Sequence, residues 1–229
     1  MDKYLSVAAN ISRADAKKLI KCGRVSVGGK LVKKAEDKVS IEEEVLLDGK
    51  PISYKKYVYI IMNKPSGILS AATDKRVKTV VDIIPENLKR EGLFPVGRLD
   101  KTTTGLLIIT NDGDFAHKTI SPKSYIEKCY YTELDGELTA ENKQKIEGGI
   151  TLSDGTVCRP AKIEMISKRE VYITISEGKY HEIKRMFGVV GLGVNSLHRV
   201  SIGGLKLPEG LKTGECVEIG QDELNLINC

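Results

Sequence analysis

Asp100 follows Arg98 by two positions in the stretch GRLDKTTTGLLIITNDG, residues 97–113, directly before three threonines and a glycine. A carboxylate at the lip of an apolar strand is partly desolvated, and it needs a cation nearby to keep its charge and act as a nucleophile or base. Two candidates are in the chain. One is Arg98; the other is Lys184 in EGKYHEIKRMF, where His181, Lys184 and Arg185 are spaced to share one helix face. Ile183, Met186, Phe187 and Val190 fall on the opposite face, which would fix the helix to a core and aim the cations away from it. A second use of Asp100 is open on the residues alone: a structural acid tying down its own turn through Thr103 or Thr104.

Other chemistries have weaker footing. Glycoside hydrolysis would pair Asp100 with Asp112 or Asp114, but two carboxyls must flank the bond at about 5 to 9.5 Å. The intervening apolar strand spans ~17 Å, so NDGD reads as a strand-to-helix connection with an acid near the helix start. Cysteines at 22, 129, 158, 216 and 229 form no knuckle and no CxxC pair, and three histidines lack ligand spacing. The expectation is reduced thiols, no metal and no cofactor.

These side chains need a scaffold. YVYIIMNKPSG reads as a strand ending in a turn, TVVDII as a short helical piece, and GLLIIT as a fully apolar strand. NDGDFAHKTI is a turn into a helix, CYYTEL a strand, and TAENKQKIEGG a helix with Thr139 as N-cap and Gly148 past its end. VYITIS alternates, KYHEIKRMFG has helical spacing, and LHRVSIGGLKL returns to strand. Strands interrupted by irregularly spaced helices predict an α+β domain around a mixed, mostly antiparallel sheet with flanking helices.

The 229 residues carry 41% hydrophobic and 29% charged side chains, enough to bury a core in a small module plus a larger one. Neither a secretory leader nor a run of ~20 apolar residues is present, so the expectation is a cytoplasmic protein with no membrane association. The net charge of +5 is unevenly spread, because residues 1–34 hold nine lysines and arginines against Asp2 and Asp15. In ISRADAKKLIKCGRVSVGGK, Ser12 and Asp15 form a capping-box pattern, and Ala16, Leu19 and Ile20 share a face. Arg13, Lys17 and Lys21 recur along another face that runs through Arg24 into the hairpin lysines after Gly28-Gly29, a stripe that one phosphate backbone could touch.

That helix-loop-strand unit resembles an S4 RNA-binding domain over residues 1–47, followed by a polar linker at 48–56 and a catalytic domain at 57–229. The resemblance implies RNA contacts from Lys3, Ser12, Arg13, Lys17, Lys21, Arg24 and Lys30. FPVGRLDKTTTGLLIITNDG, EKCYYTELDG and ISEGKYHEIKRMF, with NKPSG upstream and LHRVSIGGLKL downstream, look like the successive motifs of the RsuA branch of the pseudouridine synthases. That likeness implies Asp100 as the catalytic aspartate, Tyr130 as the ring packed on the target base, and Lys184 as the basic partner. Arg98 would occupy the space of an extruded uridine or grip its phosphate. Within the branch the chain is most similar to members that modify one 16S rRNA uridine, conventionally U516. The implied partner is 16S rRNA or a small-subunit assembly intermediate, met as a monomer. A 23S target, or an S4-type RNA-binding protein without catalysis, are the alternatives. Three positions depart from the branch pattern: Cys129, Tyr131, and Glu182, an extra acid that should turn away from Lys184 because adjacent helix positions lie ~100° apart.

Overall fold

Ser12 sets the first boundary: its side chain accepts from the Asp15 N–H and starts a helix that keeps Ala16 and Ile20 inside. The computed structural model describes residues 1–40, 42–121 and 123–228. They divide into two compact units, Met1–Val58 with Lys89–Glu91, and Tyr59–Leu88 with the described residues from Gly92 onward.

In the first unit, α1 (Asp2–Ala8) and α2 (Arg13–Lys21) share a core with a four-stranded sheet. Its strands β1 (Val25–Val27), β2 (Lys30–Leu31), β3 (Val45–Leu47) and β4 (Lys50–Ile52) run in the order β2-β1-β3-β4. Tyr4, Leu5, Val25, Val32 and Val45 complete that core. Gly28 and Gly29, with φ of 53° and 78°, make the β1–β2 turn that side chains with a Cβ disfavour. Strand β4 lies inside the segment read from sequence as linker. Pro51 hid it, yet a proline is tolerated on an edge strand, where β4 sits.

The second unit is built on β5 (Tyr59–Lys64), β6 (Phe94–Pro95), β7 (Thr104–Thr110), α3 (Gly113–Ile120), β8 (Lys128–Leu134) and α4 (Ala140–Glu147). It continues through β9 (Lys162–Met165), β10 (Glu170–Ile175), α5 (Glu182–Val189), β11 (Val194–Ile202), β12 (Leu205–Lys206), β13 (Cys216–Glu218) and α6 (Gln221–Asn225). The sheet order is β13-β5-β7-β11-β8-β10-β9, with β6 beside β7 and β12 beside β11. Every pairing is antiparallel except β7 with β11, so the α+β expectation of a mixed, mostly antiparallel sheet holds.

That parallel pair depends on Gly105. Its φ is +98°, and a Cβ there would stand 2.3 Å from the Arg199 carbonyl oxygen, so only glycine lets β7 lie against β11. The helix α4 begins at Thr139, which accepts from Asn142 N–H, as its sequence indicated. TVVDII is not helical. The Asp82 carboxylate folds back to accept from both the N–H and hydroxyl of Thr79, and Pro85 blocks continuation, leaving turns. No helix among the described residues is long and apolar enough to cross a membrane.

Candidate active site

The loop before β7 is fixed through its backbone. Lys64, at the end of β5 and fully buried, points its Nζ at the carbonyls of Thr103 (3.0 Å), Pro65 (3.1 Å), Asp100 (3.3 Å) and Lys101 (3.3 Å). Burial lowers its pKa to about 8, with the Asp100 charge opposing that fall, so it remains an ammonium at neutral pH. Gly67 N–H donates to the Lys101 carbonyl at 2.8 Å, and Ser70 brackets Leu99, donating to its carbonyl and accepting from its N–H. Thr103 N–H closes the turn on the Asp100 carbonyl at 3.1 Å. The NKPSG turn and Ser70 thus grip the peptide groups of Leu99, Asp100, Lys101 and Thr103 without touching the Asp100 carboxylate.

Helix α5 supplies the groups that do face it. Ile183, Met186 and Phe187 are buried and fix the helix. Its first turn then presents Lys184, whose Nζ lies 3.7 Å from Asp100 Oδ2 and donates to Thr102 Oγ1 at 2.9 Å. His181 Nε2 stands 3.5 Å from Asp100 Oδ1. His181 has a left-handed backbone, φ 49°, at the helix start. Each carboxylate oxygen therefore faces one nitrogen.

The floor comes from β8 and β11. Tyr130 is buried and pairs in register with Arg199 on β11 and Ile173 on β10. The Arg199 guanidinium, itself buried, donates from Nε to the Leu106 carbonyl at 2.7 Å, reaches the Tyr130 hydroxyl at 3.4 Å, and lies 5.9 Å from the ring centroid. A cleft of about 420 Å³, counting its open mouth, is lined by Arg98, Asp100, Tyr130, Ile175, His181 and Lys184 among others.

Three expected site residues, Asp100, Tyr130 and Lys184, come together in this cleft. Arg98 lines the mouth and is exposed, and no ion pair joins it to Asp100 among the described residues. Of the two candidate cations, Lys184 is the one beside the carboxylate. Arg185 departs from the expected cationic face: it pairs with Asp154 at 2.6 Å and donates to the Tyr180 carbonyl. Asp112 caps α3 and accepts from the Tyr59 hydroxyl, which leaves it no part in a carboxylate pair with Asp100.

Glu182 turns away from Lys184, into the interior. It accepts from the Lys179 N–H at 2.8 Å and meets Glu177 and Cys158, the three ligand atoms lying within 4.8 Å of one another. Burial first, and the hydrogen bond and charge of Glu177 next, push the Glu182 pKa up to about 7, while Glu177 is lowered by hydrogen bonds from Glu182, Lys179 and Arg159 that outweigh its own burial. One proton shared between the two carboxyls accounts for the arrangement.

In the first unit, Lys3, Ser12, Arg13, Lys17, Lys21, Arg24 and Lys30 are all exposed. Arg13 is hydrogen-bonded to Asp2, Lys17 lies 4.0 Å from the same acid, and Arg24 forms a two-pronged pair with Asp48. Three of the basic side chains thus already have an acid partner, Arg13 and Lys17 sharing Asp2. Sequence reasoning missed Lys64 and Arg199. For Lys64 the signal was a lone cation ending the apolar run YIIMNK; for Arg199 it was an arginine inside an otherwise apolar and small-residue strand.

A profile of the RNA pseudouridylate synthase family matches residues 58–188, and the S4 domain profile matches residues 2–46. An uncharacterized RNA pseudouridine synthase of Bacillus subtilis is 39% identical over 234 aligned positions, covering 100% of this chain and 98% of that protein. The ribosomal small subunit pseudouridine synthase A of Escherichia coli is 35% identical over 226 positions, covering 98% and 97%. A crystal structure of a pseudouridylate synthase superimposes with a TM-score of 0.70 at 32% identity, over 99% of this chain and 98% of that one.

Proposed function

Since this chain belongs to the RNA pseudouridylate synthase family, with an S4 domain ahead of the synthase, we propose that it isomerises one uridine of small-subunit rRNA, the U516-type site, using Asp100. The enzyme converts uridine in RNA to pseudouridine. The bond from C1′ to N1 breaks, the uracil turns, and C1′ bonds to C5; the C5 proton departs and N1 takes one up, so no electrons change hands.

The observation that carries the reading is a carboxylate faced at both oxygens, by Lys184 at 3.7 Å and His181 at 3.5 Å, over a cleft walled by Tyr130. Negative charge there is matched by neighbouring positive charge, and the carboxylate can reach C1′ or the ring of a nucleoside seated on Tyr130. Lys64 holds the loop so that this reach does not vary. A uridine stacked in RNA cannot enter such a cleft, so it is extruded, and exposed Arg98 at the mouth suits filling the gap or gripping the flipped phosphate. Exposed Lys3, Ser12, Lys21 and Lys30, with Arg13, Lys17 and Arg24, give the first unit phosphate contacts that position the enzyme without reading sequence. The small-subunit assignment rests on likeness to the Escherichia coli relative.

The test is chemical mapping of pseudouridine in 16S and 23S rRNA from cells lacking the gene, then resupplied with wild type or Asp100→Asn. We expect one 16S site to vanish, to return with wild type, and to stay absent with the variant, which still binds rRNA. Loss of a 23S site with 16S modification intact would overturn the substrate assignment; full activity of Asp100→Asn would overturn the role of the carboxylate.

A further inference from the structure

We propose that Tyr180, stacked on the cleft-lining His181, is a base-stacking subsite for the nucleotide adjacent to the target uridine. The proposal rests on the reading that the cleft receives an extruded uridine.

Tyr180 is 72% exposed, the most exposed of the large hydrophobic side chains among the described residues. The ring is not loose. Its centroid lies 3.9 Å from that of His181 with the planes at 18°, a parallel stack, and His181 in turn lies 3.5 Å from Asp100. The Tyr180 carbonyl accepts from Arg185 Nη1 at 3.3 Å, and Arg185 is held by Asp154. One ring face is thus covered by an imidazole bound into the site, the backbone beneath is anchored, and the remaining surface is left to solvent. Tyr125, the other strongly exposed aromatic, differs: Arg159 lies over its ring at 4.4 Å, whereas Tyr180, not itself a lining residue, adjoins the cleft through its stack on His181.

A two-layer stack leading outward from Asp100 has a use. Pulling a uridine out of its strand strips its neighbours of a stacking partner, and an aromatic face beside the entrance replaces it. Stacking is indifferent to base identity, so the subsite contributes affinity and register rather than sequence readout. Tyrosine suits the position because its ring is rigid and its hydroxyl tolerates water.

The experiment uses the full-length protein and an rRNA fragment containing the target, with 2-aminopurine placed on the 5′ or 3′ side of the uridine. Steady-state pseudouridine formation and 2-aminopurine fluorescence are followed for wild type, Tyr180→Ala, Tyr180→Phe and Tyr180→Trp. Removing one stack should raise KM about tenfold in the alanine variant with kcat changed by less than about threefold. The Phe and Trp variants should stay near wild type, and fluorescence at one flanking position should be quenched by wild type but not by Tyr180→Ala. An unchanged KM in Tyr180→Ala overturns the subsite, as does a fall confined to kcat, which would mean that Tyr180 acts only by propping His181. Wild type inactive on every rRNA would instead sink the functional reading, and the subsite with it.

Discussion

Lys64→Met tests how the loop carrying Asp100 is held. The substitution keeps most of the volume and removes the ammonium. An ammonium has three N–H groups, so about three of the four neighbouring carbonyls lose a donor, and a buried acceptor left unpaired costs about 1–3 kcal/mol. At the midpoint that sums to about 6 kcal/mol. Against it, burying the charge lowers the Lys64 pKa from 10.5 to about 8, a cost of about 3 kcal/mol that methionine does not carry. The net expectation is a loss of about 3 kcal/mol at pH 7, a large part of the stability of an ordinary domain. The pH dependence has a definite sign. Between about pH 8 and 10.5 the unfolded lysine holds a proton that the folded one has released, so wild-type stability rises with pH across that window. Lys64→Met lacks the rise, and its deficit should widen above pH 8. Freed carbonyls also let Asp100 shift, and a displacement of about 1 Å costs about a hundredfold in rate. Urea unfolding at pH 7 and pH 9.5, with pseudouridine formation at pH 7.5, reads all three quantities. Stability within about 1 kcal/mol of wild type together with an unchanged rate would refute the claim that Lys64 fixes this loop.

Two further perturbations follow from the second unit. Glu182 is raised to about 7 by burial and by Glu177, so the folded state holds an extra proton between about pH 4.5 and 7 and loses stability as pH rises through that window. The lowered value of Glu177 acts below pH 4.5, outside it. Glu182→Gln donates to Glu177 without a charge, and it should melt higher than wild type at pH 8 with little difference at pH 5; an equal difference at both would refute the shared proton. Gly105→Ala places a Cβ 2.3 Å from the Arg199 carbonyl oxygen at a φ of +98°, so the β7–β11 pair must separate. We expect Tm to fall by about 10 °C or more, checked by calorimetry, and a wild-type Tm would contradict the packing described.

What the sequence disclosed follows the range of the forces involved. Caps and alternation are local, so Ser12, Thr139 and the strands of GLLIIT, CYYTEL and VYITIS could be read directly. The parallel joining of β7 to β11 is a pairing across 94 positions, as from Thr104 to His198, and Gly105 shows its reason only when Arg199 stands beside it. Lys64 was hidden for the same cause: in sequence it ends a strand, and only the loop of residues 99–103 folded over it reveals a buried cation. TVVDII had helical spacing, but a short side-chain contact from Asp82 to Thr79 outweighed it. For Glu182, helix geometry gave the direction and not the destination, because Cys158 comes from elsewhere in the chain and Glu177 from the segment before the helix starts.

The open question at the start was whether Asp100 is a structural acid or a reacting one, and its contacts support the reacting role proposed above. A carboxylate that secures a turn accepts short hydrogen bonds: Asp112 takes two backbone N–H groups and the Tyr59 hydroxyl, and Asp154 takes the Thr156 N–H and Arg185 at 2.6 Å. Asp100 does neither. The turn it occupies is closed by its backbone carbonyl, Thr103 Oγ1 is buried without a hydrogen-bond partner, and the Thr104 hydroxyl goes to His198 at 2.8 Å. Its oxygens sit at 3.5 and 3.7 Å from their nitrogens, and the side chain is 29% exposed to the cleft. A group anchored through every neighbouring peptide, yet left loosely paired at its charged end, has capacity in hand for a further partner. That is the arrangement a carboxylate requires if it is to meet a nucleoside.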